Sequence, residues 1–136
     1  MKKHELCAMR DISGREDIII LINSFYEKVR VDEQIGYIFN DIAKVDWAHH
    51  LPVMYDFWES VIFFKSTYSG NPMEIHSRLN KQVALTPVHF EKWKSIFLQT
   101  VNELFEGEKA ELAKQRAVSI ATAILIKISQ GSYKKL

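Results

Sequence analysis

The sequence predicts an all-α protein on the basis of three observations. Apolar residues recur every three to four positions through four long segments, which is the period of a helix with one buried face. No segment alternates between apolar and polar residues for long enough to predict a strand. Only five glycines and three prolines interrupt the 136 residues, so uninterrupted helices have room to form. We therefore expect four long helices joined by short connections.

The first helix is predicted to begin at Ser13-Gly14-Arg15-Glu16, which has the form of a capping box. One helical face follows at Ile18, Leu21, Ile22, Phe25, Tyr26 and Val29. The polar run 32–34 and Gly36 are expected to end this helix. Segment 35–40 then predicts a tight turn or a single helical turn.

The second helix is predicted at about 46–64. Its apolar positions are Trp47, Leu51, Met54, Phe57, Trp58, Val61 and Ile62. Pro52 interrupts this pattern, and a proline in a helix interior costs about 3 kcal/mol. We therefore expect either a kink at Pro52 or a helix that starts just before it.

Loop signals at 65–73 precede a short helical piece predicted at 74–79. The third long helix is expected to begin at Thr86-Pro87, an N-cap followed by a proline in the first turn, and to end at Gly107. The fourth is predicted at about 108–130, with Gly131 as its C-terminal cap. The two middle helices hold all three tryptophans and much of the phenylalanine.

Length and composition indicate one domain over 1–136, with 1–12 expected as a flexible N-terminal extension. The net charge of +1 predicts neither nucleic acid nor a membrane surface as a partner. The longest apolar run, 18–22, is too short to span a bilayer, and no apolar signal-peptide core follows the charged N-terminus. A single cysteine, Cys7, excludes an internal disulfide. We expect a soluble cytoplasmic protein, whose oligomeric state remains open.

The sequence lacks the common catalytic signatures, including a phosphate-binding loop, a nucleophile elbow, His-Glu-x-x-His and the motif for covalent haem attachment. Among its five histidines, His50 lies on the apolar stripe of the second helix, and His76 follows a loop. The adjacent His49 points about 100° away from His50, so the two cannot bind one metal from the same face. Either His50 or His76 could be a ligand, although a lone histidine on an apolar face is more often a hydrogen-bonded core residue.

An all-α chain with aromatic inner helices and a loop-flanked histidine suits a bound flat macrocycle. Haem requires a neutral imidazole on the iron, an apolar slot and a few polar groups on the opposite face. Alternatively, the aromatic side chains form only a hydrophobic core. From the residue pattern alone, both interpretations stay open.

Six short motifs occur in order along the chain. They are Phe25-Tyr26-Glu27-Lys28-Val29-Arg30; Ile35-Gly36 with Ile38-Phe39; Trp47 with His50; Phe57-Trp58; Tyr68-x-Gly70-x-Pro72 with His76; and His89-Phe90-x-x-Trp93. Each motif is weak alone, but the set, with this order and spacing, resembles the group III truncated haemoglobins of bacteria. The resemblance extends over about residues 13–130.

The resemblance implies a shortened globin fold, a two-over-two helical sandwich around non-covalently bound haem b. It implies that His76 is the proximal ligand of the iron. On the distal side it implies that Tyr26 and Trp93 point polar atoms into the pocket, with His50 on the distal helix. The expected pocket walls are Phe39, Met54, Phe57 and Trp58.

The sequence also departs from the family pattern. Tyr37 stands where many members carry proline after the glycine, and Pro52 follows the distal histidine closely enough to set the angle of its helix. Arg78 and Lys92 are candidates for contacts with the haem propionates, or are solvated surface charges. His50 is expected either to gate the pocket or to contact the ligand directly.

The expected function is binding of O2, NO and CO at ferrous iron, for redox chemistry on O2, NO or peroxide rather than for O2 transport. Tyr26 and Trp93 are hydrogen-bond donors, and a bond to a charged acceptor contributes about 1.5–3 kcal/mol. Nitric oxide dioxygenase or peroxidase-like activity would fit, with an unidentified reductase as partner. The alternatives are a haem-based sensor or ligand store and a haem-free helical interaction module.

Overall fold

The computed structural model describes residues 9–42, 44–65 and 85–134, with side chains described up to residue 128. Four long helices are present: α1 (Arg15–Arg30), α2 (Trp47–Phe63), α3 (Pro87–Leu104) and α4 (Glu108–Lys134). A single π-helical turn, Ile38–Ile42, lies between α1 and α2. No strand occurs within these ranges, which confirms the all-α prediction.

The four helices form a two-over-two sandwich. α1 packs against α2 and α3, and α4 packs against α3 and α2, so the pair α1/α2 stacks on the pair α3/α4. The centre of the core includes Leu21, Ile22, Phe25, Phe97 and Val101, none of which is exposed to solvent. Burial of an apolar side chain of this size contributes about 1.5–3 kcal/mol, so each of these five residues stabilises the fold.

The start of α1 differs from the predicted capping box. Gly14 is the N-cap residue, and no side chain caps the helix there. The backbone N–H and the hydroxyl of Ser13 donate to the Asp17 carboxylate over 2.8 and 2.9 Å. Both terminal nitrogens of Arg10 also donate to Asp17. The predicted pairing of Ser13 with Glu16 is therefore wrong, because Arg10 and Ser13 hold the buried Asp17 while Glu16 is exposed.

Residues 10–12, which the sequence places in the N-terminal extension, contact the helical body. Ile12 is 2% exposed and belongs to the core. The Asp11 carboxylate accepts hydrogen bonds from the backbone N–H groups of Lys109 and Ala110, both over 2.8 Å. Asp11 thereby satisfies two of the N–H groups that the first turn of α4 leaves without an intrahelical acceptor. The expectation for residues 1–8 lies outside the described residues.

The other helix ends partly match the predictions. α2 begins at Trp47 and continues through Pro52, so a helix start just before Pro52 is ruled out. α3 begins at Thr86-Pro87 as expected. α4 continues through Gly131 to Lys134, so the predicted cap at Gly131 is wrong. A helix tolerates an interior glycine at a cost of about 1 kcal/mol. The short helix predicted at 74–79 lies outside the described residues.

Candidate functional site

Tyr26 on α1 and His50 on α2 lie in ring contact, with centroids 5.4 Å apart and planes at 79°. The ring of Phe39, from the π-helical turn, lies 6.1 Å from the Tyr26 ring. The ring of Trp47 lies 5.2 Å from Tyr26 and 5.6 Å from His50. We call Tyr26, Phe39, Trp47 and His50 the pocket quartet. It brings a phenol and an imidazole together among apolar rings.

Local structure places these four rings. Tyr26 lies on the buried face of α1. Trp47 is the first residue of α2, and His50 follows three positions later, which puts both on one helix face. The N–H of His50 donates to the carbonyl of Asp46 over 2.8 Å and closes the first turn of α2. The N–H of Val45 donates to the Phe39 carbonyl over 3.0 Å and closes the connection between the π-helical turn and α2.

Tyr26 is a buried phenol that stays protonated at neutral pH. Its side chain is 6% exposed, and this desolvation raises the pKa of the phenol above its ordinary value. A phenol of ordinary pKa already keeps its proton at neutral pH, and burial widens that margin, so the hydroxyl is available as a hydrogen-bond donor. The Nε2 atom of His50 is also buried from solvent.

Trp93 is connected to the pocket quartet through Phe25, which contacts both Trp93 and Tyr26. The Phe25 ring lies 4.7 Å from Tyr26 and 5.6 Å from Trp93. Trp93 also stacks on Phe97 at 5.9 Å with the planes at 12°. Phe97 also stacks on Trp58 at 4.6 Å. Stacked or edge-on aromatic pairs of this kind each contribute about 0.5–1.5 kcal/mol beyond their buried area, so the orientation of Trp93 is well determined.

The predicted wall residues differ in burial. Phe39, Met54 and Phe57 are half-buried and pack against the core, whereas Trp58 is 2% exposed and lies within the core. His50, Met54 and Phe57 share one face of α2 by their helical spacing. An apolar cofactor would cover the part of Phe39, Met54 and Phe57 that solvent reaches. Apolar walls beside a phenol, an imidazole and an indole fit the requirements of haem.

The proximal side of the site lies outside the described residues, since it rests on His76 and Arg78. These two assignments stay predictions. Lys92, the other candidate for the propionates, forms an ion pair with Asp32 over 3.2 Å and is 38% exposed at its side chain. Among the described side chains, no group of three or more His, Cys, Asp or Glu could hold a metal ion. None of the helices described is long and apolar enough to cross a bilayer.

The site candidates taken from the sequence omit Trp47 and Arg30. The Arg30 guanidinium lies 5.3 Å from the centroid of the Trp47 ring, in a cation–π contact. Helical spacing is the signal that could have identified both residues. Arg30 follows Tyr26 by four positions, and Trp47 precedes His50 by three, so each shares a helix face with a predicted pocket residue.

Comparison with known proteins identifies the family. No family model matches the sequence. The chain is 31% identical over 112 residues to the group 3 truncated haemoglobin ctb of Campylobacter jejuni, across 80% of this chain and 86% of that protein. It also matches the crystal structure of a group III truncated haemoglobin from Campylobacter jejuni with a TM-score of 0.75, at 28% identity, covering 94% of this chain and 95% of that one. The chain therefore belongs to the group III truncated haemoglobins, a family of haem proteins.

Proposed function

We propose that this protein binds haem b non-covalently, with His76 as the iron ligand, and that it performs redox chemistry on O2, NO or peroxide. The observation that carries this proposal is the contact between Tyr26 and His50 in a buried aromatic environment. When bound, the haem would supply an iron that binds diatomic gases and exchanges electrons. The side chains of the pocket would then control how long a ligand stays and where hydrogen bonds reach it.

Tyr26 is the principal donor in this proposal. Its hydroxyl is protonated at neutral pH, as is any phenol of ordinary pKa, and burial raises the pKa further. A hydrogen bond to a charged acceptor contributes about 1.5–3 kcal/mol, which corresponds to about a tenfold to a hundredfold slower release of the ligand. Slow release favours chemistry on a retained ligand over reversible transport.

His50 is the second polar group. A neutral imidazole carries one N–H donor and one acceptor, so it can donate to the ligand or orient the neighbouring phenol. The burial of Nε2 favours direct contact with a ligand over a ring turned towards solvent. The 5.4 Å separation of the Tyr26 and His50 rings lets both side chains serve the same small ligand.

Trp93 is the third donor. The indole N–H can only donate, and its ring is held by contacts with Phe25 and Phe97. A rigid donor costs little conformational entropy when a ligand binds. Its path to Tyr26 through Phe25 supports a place at the edge of the same site.

Two reactions fit a pocket with these donors. The first is the conversion of NO and O2 to nitrate (NO + O2 + e⁻ → NO3⁻), for which a bound ferrous haem would supply the electron and a reductase would restore it. The second is the reduction of a peroxide to water, for which an external reductant would supply two electrons through a bound haem and hydrogen bonds from Tyr26 and His50 would polarise the O–O bond. Both reactions need a ligand that is retained and polarised, which is what buried donors provide.

Two mixing experiments test the redox proposal. The reduced, O2-saturated haem protein is mixed with NO, and we expect prompt formation of ferric haem and nitrate. The ferric protein is mixed with hydrogen peroxide and a reducing dye, and we expect dye oxidation faster than with free hemin. If the protein shows neither reaction while binding O2 normally, the redox part of the proposal is contradicted and only ligand binding remains.

A further inference from the structure

Trp47 contacts each of the other three rings in the pocket quartet. Its ring lies 5.2 Å from Tyr26 at an interplanar angle of 56° and 5.6 Å from His50 at 83°. It also stacks on Phe39 at 6.2 Å and 28°. The relative orientation of Tyr26 and His50 therefore depends on the position of Trp47 as well as on their own contact.

Arg30 holds Trp47 from a solvent-exposed position. Its guanidinium lies 5.3 Å from the Trp47 centroid, and tryptophan is the side chain that binds a cation best through its face. The backbone carbonyl of Arg30 accepts a hydrogen bond over 2.9 Å from Asn40, in the π-helical turn that also carries Phe39. These contacts tie the end of α1 to the π-helical turn and to the start of α2.

We propose that Trp47 is a positioning residue that fixes the orientation of His50 relative to Tyr26, and that the charge of Arg30 keeps Trp47 in place. This inference rests on the proposed function, since the orientation of the two side chains matters for a ligand held beside them. In the structure, His50 contacts Trp47 and Tyr26 with planes at 83° and 79°. Turning the imidazole towards solvent breaks both contacts. Without the Arg30–Trp47 contact, Trp47 holds His50 less firmly, and a larger fraction of the molecules has the His50 ring turned towards solvent.

A purely structural role for these residues predicts different behaviour. Trp47 is only half-buried at the first position of α2, so packing alone would be largely preserved by phenylalanine. Arg30 is exposed, so its aliphatic stem without the charge would serve equally well if only packing mattered. A variant that removes only the charge of Arg30 therefore distinguishes positioning through Trp47 from simple packing.

The test measures the C–O stretching band of the reduced, CO-saturated haem protein by infrared spectroscopy, because this band responds to donors near the bound gas. We expect one dominant band in the wild type and loss of part of its intensity to a second band in Trp47→Phe. Arg30→Met should give the same second band at lower intensity, whereas Arg30→Lys should keep the wild-type band. The double variant Trp47→Phe/Arg30→Met should match Trp47→Phe alone, because both changes act through one ring.

The matched control is Arg116→Met, which removes an exposed positive charge from α4 and should leave the band unchanged. A wild-type band in Arg30→Met, or additive effects in the double variant, would overturn the inference. If Trp47→Phe does not fold, the comparison of Arg30→Met with Arg30→Lys decides the question. Failure of the proposed function is separate: it would appear as an absent haem complex, or as an unchanged band in Tyr26→Phe.

Discussion

The Tyr26 ring meets the His50 ring at 5.4 Å, edge to face, although the two residues lie on different helices. The contact places a buried, protonated phenol beside an imidazole whose Nε2 is buried. Hydrogen bonds made in such an apolar environment are stronger than in water, which makes the two groups suitable for holding a ligand.

Replacing Tyr26 by phenylalanine removes the hydroxyl and keeps the ring. In the haem-loaded protein, we expect O2 release to become at least several-fold faster, up to about a hundredfold, because one hydrogen bond to the ligand is lost. Stopped-flow measurement of O2 release checks this. The control is Tyr55→Phe, which removes a hydroxyl that donates to Asn23 between α1 and α2. An unchanged rate in Tyr26→Phe would show that this hydroxyl does not face the ligand.

The contacts of Asp17 predict that the protein loses stability in acid. The hydrogen bond from Arg10, followed by those from Ser13, lowers the pKa of Asp17 from 3.8 to about 2, against the opposing effect of burial. A lowered folded-state pKa stabilises the fold above the unfolded-state value, and this contribution is lost as the pH falls from about 4 towards 2. Because Arg10 is 62% exposed at its side chain, screening limits the contribution to about 1 kcal/mol.

Chemical denaturation at several pH values tests the role of Asp17. We expect Asp17→Asn to be less stable than the wild type at neutral pH, and the difference should narrow between pH 4 and 2. Glu16→Gln is the control, since it neutralises the neighbouring exposed carboxylate. A constant difference across this pH range would contradict the assignment.

A capping hydrogen bond to His89 is expected to stabilise the start of α3. Its Nδ1 accepts a hydrogen bond over 3.1 Å from the backbone N–H of Thr86, the N-cap residue. We expect His89→Ala to lower the free energy of unfolding by about 1 kcal/mol through loss of this capping contact. His89→Gln should restore much of it, because a glutamine at this position can accept the same bond. Equal stability of the two variants in urea denaturation would exclude a capping role.

The carboxylate of Asp11 is expected to stabilise the start of α4. Its carboxylate accepts bonds from the N–H groups of Lys109 and Ala110, and Gly107 beside it has a φ of +144°, a region that favours glycine. We expect Asp11→Ala to destabilise the protein by about 1–2 kcal/mol, with Asp11→Asn closer to the wild type. Thermal unfolding checks this. A melting temperature of Asp11→Ala equal to that of the wild type would contradict the capping contact.

The helices could be predicted from the sequence because each buries one continuous apolar face, and period alone locates such a face. Contacts between segments that are far apart in the sequence could not be predicted in this way. The Asp11 cap depends on the approach of α4, whose first turn lies 98 and 99 residues further along the chain at Lys109 and Ala110. This contact leaves no local pattern in the sequence. The contacts of Asp17 with Ser13 and Arg10 are short-range, but the capping-box pattern pointed to Glu16 instead.

The candidate site was predictable in part. Family motifs indicated Tyr26 and His50, and the structure brings them into contact. One motif paired Trp47 with His50, but it did not show the contacts of Trp47 with Phe39 and Arg30. Those contacts arise where the π-helical turn and the end of α1 meet the start of α2. A π-helical turn has no strong sequence signal, so the geometry around it requires the structure.

The most direct test of the central claim is the visible spectrum of the purified protein, oxidised and reduced, with hemin added to one equivalent. We predict a Soret band that saturates at one haem per chain in the wild type and in His49→Ala, which changes an exposed histidine. His76→Ala should lose the spectrum of a histidine-ligated haem. A wild-type protein that forms no one-to-one complex would contradict the account, as would a His76→Ala variant with an unaltered spectrum.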